Sequence, residues 1–132
     1  MGIAENIASV RRFYAAGPAA DDRARSGFAA DDIVWHVPGA NRVSGDYRGK
    51  AAVFRELGER MQPLERWELD LVDVMANRDM VVATVRLSAA RHGRVLSTSG
   101  AHVFRLDDSA RIVEAWGFTA DQTALDALLD PV

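Results

Sequence analysis

The sequence predicts an α+β fold from three observations. Apart from one short strand-like run at residues 33–37, apolar residues recur at helical spacing as far as Met61, and from Glu65 onward they alternate with a period of two. Short turns separate the alternating segments, so the strands they form are expected to be antiparallel neighbours. Helices followed by a run of strands in one chain are typical of the α+β class. We find no repeat or linker, so a single domain over residues 1–132 is expected.

Four helices are predicted in order along the chain. The first carries an apolar stripe and should end at Gly17-Pro18. Asp21-Asp22 is a candidate cap for a short second helix that extends to Ser26. A third is predicted over residues 50–61, and Asp121 should cap a final one. The stripe of the first helix consists of Ile3, Ile7, Val10 and Tyr14.

Five strands are predicted. The first, IVWHV at residues 33–37, is broken by Pro38-Gly39 and followed by a polar loop that holds Tyr47. Four longer strands follow, separated by turns at residues 76–79, at His92-Gly93 and at residues 107–110. Both faces of these strands carry apolar residues, so one face needs a cover beyond the helices. We expect a homodimer through the sheet, the alternative being that strong curvature hides both faces.

Composition excludes several classes of function. The net charge is −3 with scattered Lys and Arg, which offers no basic face to nucleic acid or to a membrane surface. The absence of cysteine excludes disulfides and thiolate chemistry. The three histidines lack metal-ligand spacing, and no phosphate or dinucleotide motif occurs, so no cofactor is expected. With no signal-peptide or membrane-spanning pattern, a cytoplasmic protein is the expectation.

Four motifs spread along the chain resemble the SnoaL-like branch of the NTF2-like superfamily, which includes ketosteroid isomerases, limonene-epoxide hydrolases and polyketide cyclases. They are FAADDIVWHVPG, SGDYRG, HVFRL and ADQTALDALL. The resemblance implies a cystatin-like/NTF2-like α+β cone, in which a curved, mixed but mostly antiparallel sheet wraps over the amino-terminal helices and leaves an internal apolar cavity. Because this superfamily hosts many activities, the fold alone does not identify the reaction.

The resemblance also assigns positions. The base aspartate of the isomerases falls on Val37, and their second acid falls on His102. Their helical tyrosine corresponds to Phe13 or Tyr14. An aspartate of the epoxide hydrolases falls on Phe118. Their Arg-x-Asp motif is matched only loosely, by Arg-Leu-Ser at residues 86–88. The acid–base residue of the polyketide cyclases could be matched by a histidine in the cavity.

His102 is the first candidate catalytic residue, because it shares an inward strand face with Phe104. An imidazole there can act as a general acid or base near neutral pH, and the alternative is a buried, hydrogen-bonded histidine without chemistry. Asp73 follows Leu71 by two residues, so it should share the inward face and could orient His102 or serve as the base. The alternative for Asp73 is a solvated charge.

Candidate ligand-binding residues are aromatic or apolar. We expect Trp35 to form cavity wall, with His36 pointing away, and Tyr47 to act as a lid. Trp116 is expected to line the cavity, although Glu114 shares its strand phase and leaves the orientation open. The full set of candidates for contact with a small hydrophobic ligand is Tyr14, Trp35, Val37, Tyr47, Phe104, Trp116 and Phe118.

Two functions are compatible with these residues. One is cofactor-free proton transfer (isomerisation, aldol-type cyclisation or hydrolysis) on a polyketide-, steroid- or terpenoid-like molecule, with His102 carrying the proton. The other is a carrier that holds a ligand in the same cavity without reacting. A carboxylate partner for His102 would distinguish the enzyme from the carrier. A pure protein-interaction module is a third possibility.

Overall fold

The computed structural model describes residues 2–16 and 22–130, and it confirms the α+β class. The helices are α1 (Ile3–Ala16), α2 (Asp22–Ser26), a π-helical segment (Ala52–Glu56) that continues into α3 (Leu57–Arg60), and α4 (Gln122–Leu129). The strands are β1 (Ala29–Val37), β2 (Gly45–Arg48), β3 (Arg66–Asn77), β4 (Met80–Arg91), β5 (Arg94–Leu106) and β6 (Ile112–Thr119). The predicted helix end at Gly17-Pro18 and the cap at Asp21-Asp22 fall outside the described residues or side chains.

The strands form one mixed sheet in the order β2-β1-β6-β5-β4-β3. Strand β1 runs parallel to β6, and the other neighbours are antiparallel. The prediction missed β2, because residues 45–48 were assigned to a loop. The strand Gly45–Arg48 has only four residues, which is too short for an alternating pattern to show. The predicted hairpin turn at His92-Gly93 is confirmed, with both residues at positive φ (53° and 76°), as a two-residue turn of type I′ requires.

Helix α1 packs on the sheet through a face that differs from the predicted stripe. Ile3 is 46% exposed, whereas Asn6, Ser9, Val10 and Phe13 are buried. Two polar side chains explain why the buried face of α1 is rotated from the predicted stripe. Asn6 Nδ2 donates to Arg78 O (2.9 Å), and Ser9 Oγ donates to Ala110 O (2.7 Å). These hydrogen bonds fix α1 against the β3–β4 and β5–β6 turns.

The apolar core lies on the inner face of the sheet in two clusters. One joins α1 to the middle strands through Val10, Phe13, Val81 and Phe104. The other joins α4 to strands β4 and β5, and it consists of Val43, Leu87, Ala89, Leu125, Leu128 and Leu129. Asp121 caps α4, its side chain accepting the Ala124 N–H at 3.1 Å as predicted. The space between the two clusters is where the candidate site lies.

The outer face of the sheet is partly apolar. Val72, Met75 and Phe118 are exposed to 61%, 49% and 54%. The homodimer through the sheet stays a prediction, and these side chains are the surface it would cover. In the described part of the chain, no helix has both the length and the apolar character needed to cross a membrane.

A charged network also lies on the outer face. His36 is held between two carboxylates, with Nδ1 2.7 Å from Asp46 Oδ1 and Nε2 2.6 Å from Glu114 Oε2. Its ring stacks on Trp116 at a centroid distance of 5.5 Å. The hydrogen bonds to Glu114 and Asp46 raise the pKa of His36, and the bond to His36 lowers the pKa of Glu114. Each ring nitrogen faces an acceptor, so the imidazolium form fits this position best.

This network predicts that stability depends on His36 in acid but not in alkali. A raised folded-state pKa stabilises the protein fully below the unfolded value of about 6.5, and the contribution disappears as the pH rises through the raised value. We expect His36→Gln to lower the free energy of unfolding by about 1 kcal/mol near pH 5.5 and by much less near pH 9. Urea unfolding at both pH values measures this. An equal loss at both would contradict a charged His36.

Candidate functional site

A cavity of about 350 Å³ lies between the two core clusters. Its volume falls within the range of roughly 300–1,000 Å³ that is usual for small-molecule sites. The walls are mainly apolar side chains from the helices, from strands β1, β3 and β4 and from the loop after β1, while β5 and β6 contribute Gly100, His102, Gly117, Phe118 and Thr119. The polar exceptions include Tyr14, Arg25, Asn41, His102, Thr119 and Gln122.

The central feature of the cavity wall is a direct hydrogen bond between the Tyr14 hydroxyl and His102 Nδ1. The two rings stack at 22° with their centroids 5.8 Å apart. Trp35 meets the imidazole edge-on at 5.5 Å and 73°, and Phe104 packs at 5.8 Å. Nδ1 is therefore hydrogen-bonded, and the rings of Tyr14, Trp35 and Phe104 hold the imidazole in place. No hydrogen-bond partner of His102 Nε2 is present within residues 2–16 and 22–130.

Local sequence makes room for this imidazole. His102 pairs with Ala83 of β4 on one side and with Gly117 of β6 on the other. Both neighbours are small, so the ring can lie against the inner face of the sheet without competing for volume. Tyr14 reaches it from the end of α1, one position after the buried Phe13.

Burial keeps both members of the pair neutral. Desolvation lowers the pKa of His102 to about 4, and it raises the pKa of Tyr14 well above its usual value. The imidazole is therefore neutral near pH 7. A neutral imidazole has one donor and one acceptor nitrogen, and the tautomer decides which faces the cavity. With Tyr14 donating to Nδ1, Nε2 carries a hydrogen that can be donated to a ligand. In the other tautomer Nε2 is a base.

The structure brings some of the predicted residues together at this site. Tyr14, Trp35, Val37 and His102 all line the cavity. Tyr14, and not Phe13, is the helical residue whose hydroxyl reaches the histidine. The prediction that Phe104 contacts the ligand is wrong: Phe104 does not line the cavity, is fully buried and supports the rings of Tyr14, Trp35 and His102 from behind its wall.

The predicted position of Asp73 is wrong. A β-bulge between Leu71 and Asp73 inserts one residue, so Leu71 pairs with Val85 whereas Asp73 pairs with Thr84. Because side chains alternate with a period of two, one extra residue moves Asp73 to the outer face. Its side chain is 64% exposed and lies 3.9 Å from Arg11. It therefore neither orients His102 nor contacts the cavity.

The predicted lid is also wrong. Tyr47 belongs to β2 rather than to a loop, is 3% exposed and packs in the core. Its hydroxyl donates to Val43 O at 2.6 Å and accepts from Arg60 Nη1 at 3.3 Å. A phenol engaged in this way holds β2 and the following helix together and does not line the cavity.

The expectation that Trp116 and Phe118 line the cavity is wrong for Trp116. The register pairs Trp116 with Val103, on the opposite face from His102, where it stacks on His36. Phe118 has the same outward phase and is 54% exposed, although it borders the cavity. The residue of β6 that faces the histidine is Gly117, for which the sequence suggested no role.

Across residues 2–16 and 22–130, His, Asp and Glu nowhere form a set of three or more that could hold a metal ion.

Besides the Tyr14–His102 pair, an amide–carboxylate cluster lies at the cavity. Asn41 Nδ2 and Gln122 Nε2 donate to Asp126 Oδ1 at 2.7 and 2.8 Å. Although burial opposes it, hydrogen bonding lowers the pKa of Asp126. These bonds tie the loop after β1 to α4.

A mixed sheet over helices, with an apolar cavity that has few polar groups, is the cystatin-like class of fold that the resemblance implied. Within it, this chain belongs to the SnoaL-like domain family, whose model matches residues 10–115. An uncharacterized protein of Mycobacterium tuberculosis is 32% identical over 120 residues, which cover 89% of this chain and 91% of that protein.

Solved structures share the whole fold. Bal32a, from a soil-derived mobile gene cassette, is similar with a TM-score of 0.88 and 26% identity, over 97% of this chain and 98% of that one. A Xanthomonas campestris protein of unknown function with a cystatin-like fold is 31% identical with a TM-score of 0.86, over 94% and 97%. TerC, co-crystallized with polyporic acid, has a TM-score of 0.84 over 95% and 98%, and at 18% identity it shows likeness of fold alone.

Proposed function

We propose that this protein binds a small, mainly apolar molecule in its cavity and transfers a proton on it, using His102 and Tyr14 as the proton carriers. The observation that carries the proposal is the Tyr14–His102 hydrogen bond at the wall of an otherwise apolar cavity. The co-crystallization of TerC with polyporic acid supports a small-molecule site in this fold. Candidate substrates are polyketide-, steroid- or terpenoid-like molecules that contain a carbonyl group.

The chemistry follows from the tautomers of the pair. When Nδ1–H donates to the Tyr14 oxygen, Nε2 presents a lone pair that can take a proton from a carbon next to a carbonyl. The Tyr14 O–H is then free to donate to the carbonyl oxygen, where negative charge develops. Reprotonation at another carbon would give isomerisation, and attack of the enolate on a second carbonyl would give an aldol-type cyclisation. A base with a conjugate-acid pKa of about 4 is weak, so stabilisation of the enolate oxygen is essential.

The pH dependence tests this state of His102. With 2-tetralone as probe, we expect the protein to accelerate deuterium incorporation next to the carbonyl in D₂O, as followed by proton NMR. After subtraction of the buffer rate, the enzymic rate should be flat near neutrality and fall in acid through about pH 4, because protonation removes the base. Circular dichroism checks that the fold persists. An inflection near pH 6.5, the value of a solvated histidine, would contradict a desolvated base.

A second function, a ligand carrier, is favoured by a different observation. The partner of His102 is a phenol, and in the described ranges no carboxylate contacts the imidazole. Such a pair can hold a ligand oxygen by hydrogen bonds without moving a proton. A protein that binds 2-tetralone, measured by calorimetry, yet leaves its exchange at the buffer rate would support the carrier and contradict the enzyme.

A further inference from the structure

Gly117 is placed where a side chain would reach the reactive edge of His102. It lies in the interior of β6, on the inner face, directly opposite His102 in the register. A glycine inside a strand costs stability, because it adds backbone entropy to the unfolded chain and contributes no packing. Its presence therefore calls for a specific reason.

Glycine is usually required in a strand either by a positive φ or by a close approach of other atoms, and neither reason applies at Gly117. Its φ is not among the positive values of the described glycines. A Cβ added there would meet Pro38 Cδ at 3.5 Å and His102 Cδ2 at 3.6 Å, which are ordinary contacts. Gly100, on the neighbouring strand, is different, since a Cβ there would come within 2.7 Å of the Phe118 carbonyl oxygen. The fold demands glycine at position 100 but accepts alanine at 117.

The missing Cβ leaves a slot beside the imidazole. Its walls are the ring of Pro38 and the Cδ2–Nε2 edge of His102, with Nε2 3.9 Å from the Cβ position. One carbon atom at that position would touch both walls, so the slot is about one atom thick. It lies along the edge of the ring that Tyr14 does not occupy.

We infer that Gly117 shapes the cavity for a flat, conjugated head group, such as a phenol, an aryl ketone or an enone. Its ring lies over the Gly117 backbone. A phenol donates its O–H to the Nε2 lone pair of His102, whereas a ketone or enone presents the carbon next to its carbonyl to Nε2 and its oxygen to the Tyr14 hydroxyl. This inference rests on the proposed function, because it assumes that the cavity holds a ligand at His102. Gly117 is then a specificity-determining position that sequence reasoning passed over.

A matched pair of probes tests the slot by calorimetry. Both 2-naphthol and decahydro-2-naphthol have the same carbon skeleton and one hydroxyl, but only the first is flat. We expect Gly117→Ala to weaken binding of 2-naphthol by tenfold or more and to leave decahydro-2-naphthol within twofold. Val95→Ala is the control, since Val95 is 66% exposed on the same sheet and does not line the cavity. It should bind both probes as the wild type does.

The outcomes separate the two proposals. A wild type that binds neither probe contradicts the proposed function and the slot together. A wild type that binds 2-naphthol, with Gly117→Ala binding it equally well, overturns the slot alone. If Gly117→Ala fails to fold, the amide NMR signal of Gly117 in the wild type decides. A shift with 2-naphthol but not with decahydro-2-naphthol supports the slot, and no difference between the probes overturns it.

Discussion

Replacing Phe104 by alanine is expected to lower the free energy of unfolding by about 3–5 kcal/mol, the range for removal of a fully buried aromatic ring. Phe104 is 0% exposed. Its ring lies 5.8–6.1 Å from those of Phe13, Tyr14, Trp35 and His102, so the cavity left by alanine would be surrounded by rings that cannot easily close it. Urea unfolding followed by tryptophan fluorescence measures the loss.

The control for Phe104→Ala is Val95→Ala on the same strand. Val95 is 66% exposed, so its truncation should change the free energy of unfolding by no more than about 0.5 kcal/mol. A Phe104→Ala protein that lost less than about 1 kcal/mol would show that the ring is not the support of the Tyr14–His102 pair. In that event the core would have to be described around the α4 cluster instead.

Replacing His102 by glutamine is expected to lower the enzymic rate of deuterium exchange into 2-tetralone by about 10²- to 10⁴-fold, the usual contribution of a general base. Glutamine keeps approximately the size of the side chain and a hydrogen bond to Tyr14, but it cannot take up a proton at neutral pH. Binding of 2-tetralone, measured by calorimetry, should change little, because the apolar walls are untouched.

His36→Gln provides the matched control, since it makes the same chemical change on the opposite face of the sheet. Its exchange rate should equal that of the wild type wherever the variant is folded. A folded His102→Gln protein that binds 2-tetralone and exchanges it at the wild-type rate would exclude His102 as the proton carrier. Asp73→Asn should also leave the rate unchanged, because the bulge holds Asp73 on the outer face.

Alternation of apolar and polar residues predicts side-chain orientation in long regular strands but not in bulged or short ones. Alternation over many residues placed His102 and Phe104 on one inward face, and β5 is indeed regular through that region. The same rule failed for Asp73, because a bulge adds a residue without leaving a recognisable sequence pattern. It misled for Trp116, because the aromatic face of β6 was favoured as lining even though Glu114, a charged residue, shares that phase. Orientation on β6 was settled only by its pairing with β5.

Periodicity and turn residues alone determined that this chain forms helices followed by antiparallel strands, because both depend on neighbours close in sequence. Motif resemblance added the family and the expectation of a cavity. The hydrogen bond between Tyr14 and His102 joins residues 88 positions apart, and the slot at Gly117 exists because a neighbouring strand places an imidazole opposite a missing side chain. Only the tertiary structure decided these features. They depend on the register of paired strands and on the position at which α1 packs on the sheet, and non-local contacts fix both.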